Sequence, residues 1–164
     1  MAKTFSNWTD FHHYQNQWYH LIIAITLVPF SLLFLEIETG KESLLEYGGI
    51  YWVVVVITSC AVLLLNWVVW KKTQLVLDVE AGIQAKLKLY KANELKRYGW
   101  LCLAGLVAFA GLWLTNYFLL IILYFGVLVH FSIIRPTMDR FFREGQLKKD
   151  QREHVKKGSL EDPL

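Results

Sequence analysis

KKTQLVLDVEAGIQAKLKLYKANELKR, residues 71–97, is the long polar interval between two stretches that can each cross a bilayer. It carries seven Lys or Arg against three acids. Short loops rich in Lys and Arg stay on the cytoplasmic side, so this interval orients whatever flanks it. It holds no Pro and one Gly, Gly82, so helices entering from both sides can run past the membrane and turn near Asp78 to Gly82. Leu75, Val79, Ile83, Leu87 and Tyr90 follow helical spacing and are expected to zip these extensions into a cytoplasmic hairpin. The alternative is a helix lying flat, with Lys86, Lys88 and Lys91 toward anionic headgroups.

On the C-terminal side, Tyr98 to Ile134 is a run of 37 residues without Asp, Glu, Lys or Arg. One crossing takes about 20 residues, so the run must divide. Thr115 and Asn116 are adjacent, polar and turn-competent, which gives spans at 98–114 and 117–134 joined by a minimal hairpin. Arg135 and Pro136 end the second of them. On the N-terminal side, 47–70 is a span opening on Gly48 and Gly49. Its VVVVI run would be a strand in water, but an open strand edge cannot be satisfied in hydrocarbon, whereas a helix closes its own hydrogen bonds. Residues 18–35 make a further uncharged span, with Pro29 expected to bend its outer third. Its lead carries His12, His13 and His20 and no small-x-small site follows, so it reads as a retained helix rather than a cleaved signal.

The result is an all-α membrane protein, a four-transmembrane-helix bundle in the membrane domain 18–134, N-in/C-in, with cytoplasmic helical extensions. The loop from Glu36 to Glu46 holds one basic residue, Lys41, and the turn at Thr115 holds none; the other sixteen Lys and Arg fall before, between and after these on one side. Trp18, Trp67, Trp70 and Trp100 mark inner boundaries, while Trp52 and Trp113 mark outer ones. A composition 55% hydrophobic, with a mean hydropathy of +0.34, fits a chain solvated by lipid. The implied location is a bacterial cytoplasmic (inner) membrane.

Two polar segments complete the chain. In 1–17, Phe5, Trp8, Phe11, Tyr14 and Trp18 recur at three- and four-residue steps, the face of an interfacial helix or of a docking surface for another subunit. In 135–164 a polar helix is expected from Thr137 to Lys157, entered by Phe141 and Phe142 and stopped at Gly158 and Ser159, its outer face solvated. After Pro136 seven basic residues against six acidic ones disfavour nucleic-acid binding.

Counting inward from the cytoplasmic boundaries puts His20, Asn66, Cys102 and His130 in one polar layer. Histidines at equal depth on neighbouring helices suit axial ligation of a b-type haem, through His20 and His130. The plainer reading bonds them to headgroups, water or backbone and needs no cofactor or metal. Ala104, Gly105, Ala108 and Gly111 form a small-residue stripe for close helix packing. Cys60 and Cys102 lack metal-type spacing and read as packing residues. No charge lies inside a span, which weighs against proton-coupled transport, and a Gly-rich phosphate loop, HExxH, GxSxG and CxxC are absent. The functional expectation is an accessory, scaffolding or assembly subunit in contact with lipid and with another membrane protein or further copies of itself. A b-type cytochrome and a homo-oligomeric channel using Glu36, Glu38, Glu42 and Glu46 are the alternatives.

Overall fold

The computed structural model describes residues 5–38, 48–72 and 82–160. They form six helices: α1 (Trp8–Glu38), α2 (Gly49–Lys72), α3 (Ile83–Thr115), α4 (Phe118–Ile133), α5 (Met138–Glu144) and α6 (Lys149–Lys156). No strand occurs among the described residues; a lone bridge pairs Asn7 with Ser159. α2 and α3 are each long and apolar enough to cross a membrane, and α4 with α5 makes a third candidate if that pair, bent by 86°, is taken as one broken span.

The division of 98–134 falls where two polar residues can absorb a reversal. Asn116 adopts the left-handed conformation (φ 51°) and caps α3 by donating its N–H to the Leu112 carbonyl at 2.7 Å. Asn is among the few non-glycine residues that tolerate that geometry. Thr115 bonds back to the Gly111 carbonyl at 2.8 Å, and α4 restarts at Phe118.

α3 is the axis of the molecule. At 33 residues it is about 50 Å long, enough to cross a bilayer and project well beyond it. Its apolar half packs against α1, α2 and α4 in a core built from Tyr19, Val62, Tyr98, Leu101, Tyr124 and Phe131. The small-residue stripe allows this approach: a Cβ added to Gly105 would meet the Thr26 methyl of α1 at 2.5 Å, and one added to Gly111 would meet that of Thr58 on α2 at 2.5 Å. Ala104 and Ala108 are fully buried between them.

Three expectations for the polar segments are corrected. Ile83, Leu87 and Tyr90 are buried, but against Phe5, Trp8, Phe11, Phe141 and Val155 of the two terminal segments. The alternative of a flat helix with Lys86, Lys88 and Lys91 toward headgroups is corrected too: residues 83–97 continue α3 without a break and Lys86 is buried, while Lys88 and Leu89 stay exposed. Leu75 and Val79 lie outside the described residues. Of the N-terminal aromatic face, Phe5, Trp8 and Phe11 are buried against protein while Trp18 stays exposed, and α1 continues unbroken from Trp8 through Pro29 into the first apolar run. The tail is not one solvated helix either. Gln146 takes a left-handed conformation (φ 45°) after Gly145, splitting it into α5 and α6, and Phe141, Phe142, Leu147 and Val155 turn inward. Burying that apolar surface outweighs the intrinsic preference for a continuous helix.

These pieces build a folded cap around the polar half of α3. Trp8 stacks on Phe141 at 5.4 Å, and Tyr90 packs on the same ring at 5.1 Å. The chain ends are stitched by Trp8 N–H to Gly158 O (3.1 Å) and Leu160 N–H to Ser6 O (3.0 Å). Gln84 donates to the carbonyls of both Phe5 and Leu160, at 2.9 and 3.0 Å.

Candidate functional site

Where α4 ends and the chain turns back into α5, four charged side chains close a ring. Glu94 and Arg97 stand one turn apart on α3; Arg140 and Glu144 stand one turn apart on α5. Glu94 Oε1 accepts from Arg97 Nη1 at 2.8 Å and from Arg140 Nη2 at 3.0 Å. Glu144 completes the circuit, accepting from Arg97 Nη1 at 2.6 Å and from Arg140 Nε at 2.8 Å. Acid and base alternate, so each charge faces two of opposite sign and the four cancel. The Glu94 side chain is fully buried, and Tyr98 satisfies its second oxygen by donating its hydroxyl at 3.0 Å.

A buried ion is tolerated only when paired and hydrogen-bonded, and each member of the ring is paired with two partners of opposite charge. Burial works against the Arg140 guanidinium, yet Glu94 and Glu144 outweigh it and hold that group above its usual value. Arg140 also donates to the Ile134 carbonyl at the end of α4, and Thr137 caps α5 by accepting from the Arg140 N–H at 3.3 Å. The ring therefore fixes the α4–α5 bend as well as the seat of α5 on α3. Nearby, buried Lys86 donates to the Gln146 carbonyl and to Gln151 Oε1, joining α3 to α6.

Beside the ring lies a half-open cavity of about 440 Å³. Val69, Trp70 and Ile133 form apolar wall; Arg97, Arg140 and Arg143 bring charge. His130 also lines it and is held from behind by Asn66. Asn66 donates its amide to the Val62 carbonyl at 2.8 Å, which leaves Oδ1 as the acceptor facing His130 Nδ1 at 2.9 Å. With that orientation Nδ1 carries the hydrogen and Nε2 is the basic nitrogen.

Of the polar layer read from sequence, the structure thus brings Asn66 and His130 together. His20 is exposed beside the Tyr19 ring, and Cys102 is partly buried against the main core. Cys60 is exposed, and both thiols are free. Among the described residues no group of three or more His, Cys, Asp and Glu side chains could hold a metal ion. The acidic loop of the channel alternative cannot be placed: Glu42 and Glu46 lie outside the described residues, as do the side chains of Glu36 and Glu38.

The charged ring was missed by sequence reasoning. Its signal was there in weak form, as acids and arginines spaced i,i+3 and i,i+4 beside Tyr98 and beside Phe141 and Phe142. Charge balance alone reads such pairs as solvated, because the partners that bury them are 46 and 47 residues away. Comparison with known proteins adds no identity: no family model, curated protein or solved structure matches this chain.

Proposed function

We propose that this chain is a four-span, N-in/C-in integral protein of a bacterial cytoplasmic membrane that acts as an accessory or assembly subunit, presenting its folded cytoplasmic cap to another membrane protein. The observation that carries the reading is the cap itself. Two terminal segments that could have been left as solvated tails are instead folded on α3 around a buried ion-pair ring, which yields a rigid surface joined directly to the membrane helices.

Two further features support four crossings. Trp18, Leu21, Ile25, Val28 and Leu32 form an exposed apolar stripe on α1, and Phe118, Ile122, Phe125, Val129 and Ile133 form one on α4. Stripes of this size belong in lipid or under a partner. Trp18, Trp52, Trp67, Trp70, Trp100 and Trp113, the residues expected at the interfaces, are all exposed, whereas Trp8 of the cap is buried.

The test is native mass measurement of the protein extracted in mild detergent from its own membranes, with crosslinking from cysteines placed on the cap. The reading predicts a stoichiometric complex whose crosslinks map to the cap. A monomer that retains no protein partner contradicts it.

A b-type cytochrome is the second reading: the contact of Asn66 with His130 Nδ1 leaves Nε2 as the nitrogen available to a ligand, while His20 lies exposed beside Tyr19. It predicts a Soret band that disappears in His20→Ala and in His130→Ala. A colourless preparation from haem-replete cells rejects it.

A further inference from the structure

We propose that the cavity beside the charged ring is a binding site for the headgroup of an anionic phospholipid, taken as a phosphodiester monoanion. The inference rests on the membrane placement above, but not on which side of the bilayer the cap lies.

The cavity has the amphipathic form of a lipid. Trp70 and Ile133 are about two-thirds exposed (68% and 67%), at the ends of apolar runs, so they meet hydrocarbon and interface. Arg97, Arg140 and Arg143 line the same hollow. An acyl chain lying against α2 and α4 would therefore bring its phosphate to the guanidiniums without leaving its own leaflet. A volume of about 440 Å³ is in the range of small-molecule sites, which run from about 300 to 1,000 Å³.

Charge selects the class of headgroup. The ring is neutral, and Arg143 stands outside it and is exposed, so the three arginines and two carboxylates leave one positive charge. That charge matches a phosphodiester with no compensating amine. A zwitterionic headgroup would bring an ammonium toward the same arginines. Basic pockets between membrane helices at the headgroup level are a recurrent form of anionic-lipid site. The fork of an arginine suits two phosphate oxygens, and His130 Nε2 can accept a hydrogen bond from a headgroup hydroxyl. A second hollow shares Arg143 and Gln146 and adds Arg152 and Lys156 against one acid, Asp139, so the surface past the headgroup stays net positive.

The test uses the full chain in nanodiscs of phosphatidylglycerol and phosphatidylethanolamine, with lipids retained after transfer to detergent counted by native mass spectrometry. Retention of phosphatidylglycerol is expected to exceed that of phosphatidylethanolamine and to fall about fivefold in Arg143→Gln. Arg143→Lys should keep most of the preference, and Arg143→Glu should abolish it. Arg143 is exposed and outside the ring, so these variants should fold; unchanged Trp fluorescence checks this. Equal retention of the two lipids, or a preference indifferent to Arg143→Glu, overturns the site. A soluble glycerophosphodiester that displaces the lipid at equal concentration overturns the membrane source in favour of a free solute. Carbonate extraction separates the underlying reading: protein that stays in the membrane without lipid preference refutes the site alone, and protein released by carbonate refutes both.

Discussion

Replacing Glu94 by Gln removes one charge from the centre of the ring while keeping shape and one acceptor. In the native protein Glu94 accepts three hydrogen bonds, at 2.8, 3.0 and 3.0 Å, and is fully buried. After Glu94→Gln the guanidiniums of Arg97 and Arg140 share the Glu144 carboxylate alone, and a net positive charge is left on two arginines that are only 8% and 7% exposed. Breaking a buried pair by removing one partner typically destabilises by about 3–5 kcal/mol. Since the Gln oxygen can still accept one of the arginine bonds, we expect the lower end, about 3 kcal/mol. Arg140→Met should cost a similar amount, because Glu94 and Glu144 then compete for Arg97. In Glu94→Gln with Arg140→Met the charges balance again as one Arg97–Glu144 pair, so the double variant should be more stable than the sum of single effects predicts by about 2 kcal/mol. The assay is denaturant unfolding in detergent followed by fluorescence, in a variant that retains Trp8 as the cap reporter through its stacking on Phe141. Changes below about 1 kcal/mol, with no coupling, are what solvent-exposed ion pairs give and would rule out an energetically coupled buried ring.

The glycines give a second contrast. Gly105→Ala should destabilise by about 1–3 kcal/mol, because its Cβ would lie 2.5 Å from the Thr26 methyl, and Thr26→Ser, which deletes that methyl, should restore most of the loss. Gly126→Ala has nothing within 4 Å and should be neutral or slightly stabilising; thermal unfolding compares the three. Phe141→Ala should cost about 3–5 kcal/mol and expose the tail to protease, since it removes the ring that Trp8 and Tyr90 share. Asn66→Ala should cost only about 0.6 kcal/mol, the usual scale for hydrogen bonds between membrane helices. It should also release the His130 tautomer, read from the imidazole nitrogen shifts by NMR.

Much of the membrane half was legible because lipid imposes few rules. The 98–134 run had to be cut, and Thr115 with Asn116 was the one place near its middle able to supply a left-handed residue and a side-chain bond. The small-residue stripe was equally visible at Gly105 and Gly111, though spacing alone did not say that Thr26 and Thr58 fill the space opposite. The cap was not legible, for a different reason. Helical spacing of Phe5, Trp8 and Phe11 is the same whether the face meets headgroups or protein, and Ile83, Leu87 and Tyr90 have the spacing to pair with Leu75 and Val79 of the other extension. Only the long-range approach of Phe141 and Val155 decides the matter. The break at Gly145 and Gln146 escaped because helix propensity on either side is adequate, and burial, not propensity, sets the turn.

In the proposed topology four helices cross the membrane and the cap lies wholly on the inner side. Single-cysteine labelling with an impermeant maleimide, in a background with Cys60 and Cys102 replaced, tests it most directly. Cysteines at Gly48 and Asn116 should label in intact cells. Cysteines at Lys88 and Asp150, on the cap, should label only in inverted membranes. Labelling at position 88 or 150 from outside, or at 48 and 116 from opposite sides, rules that topology out.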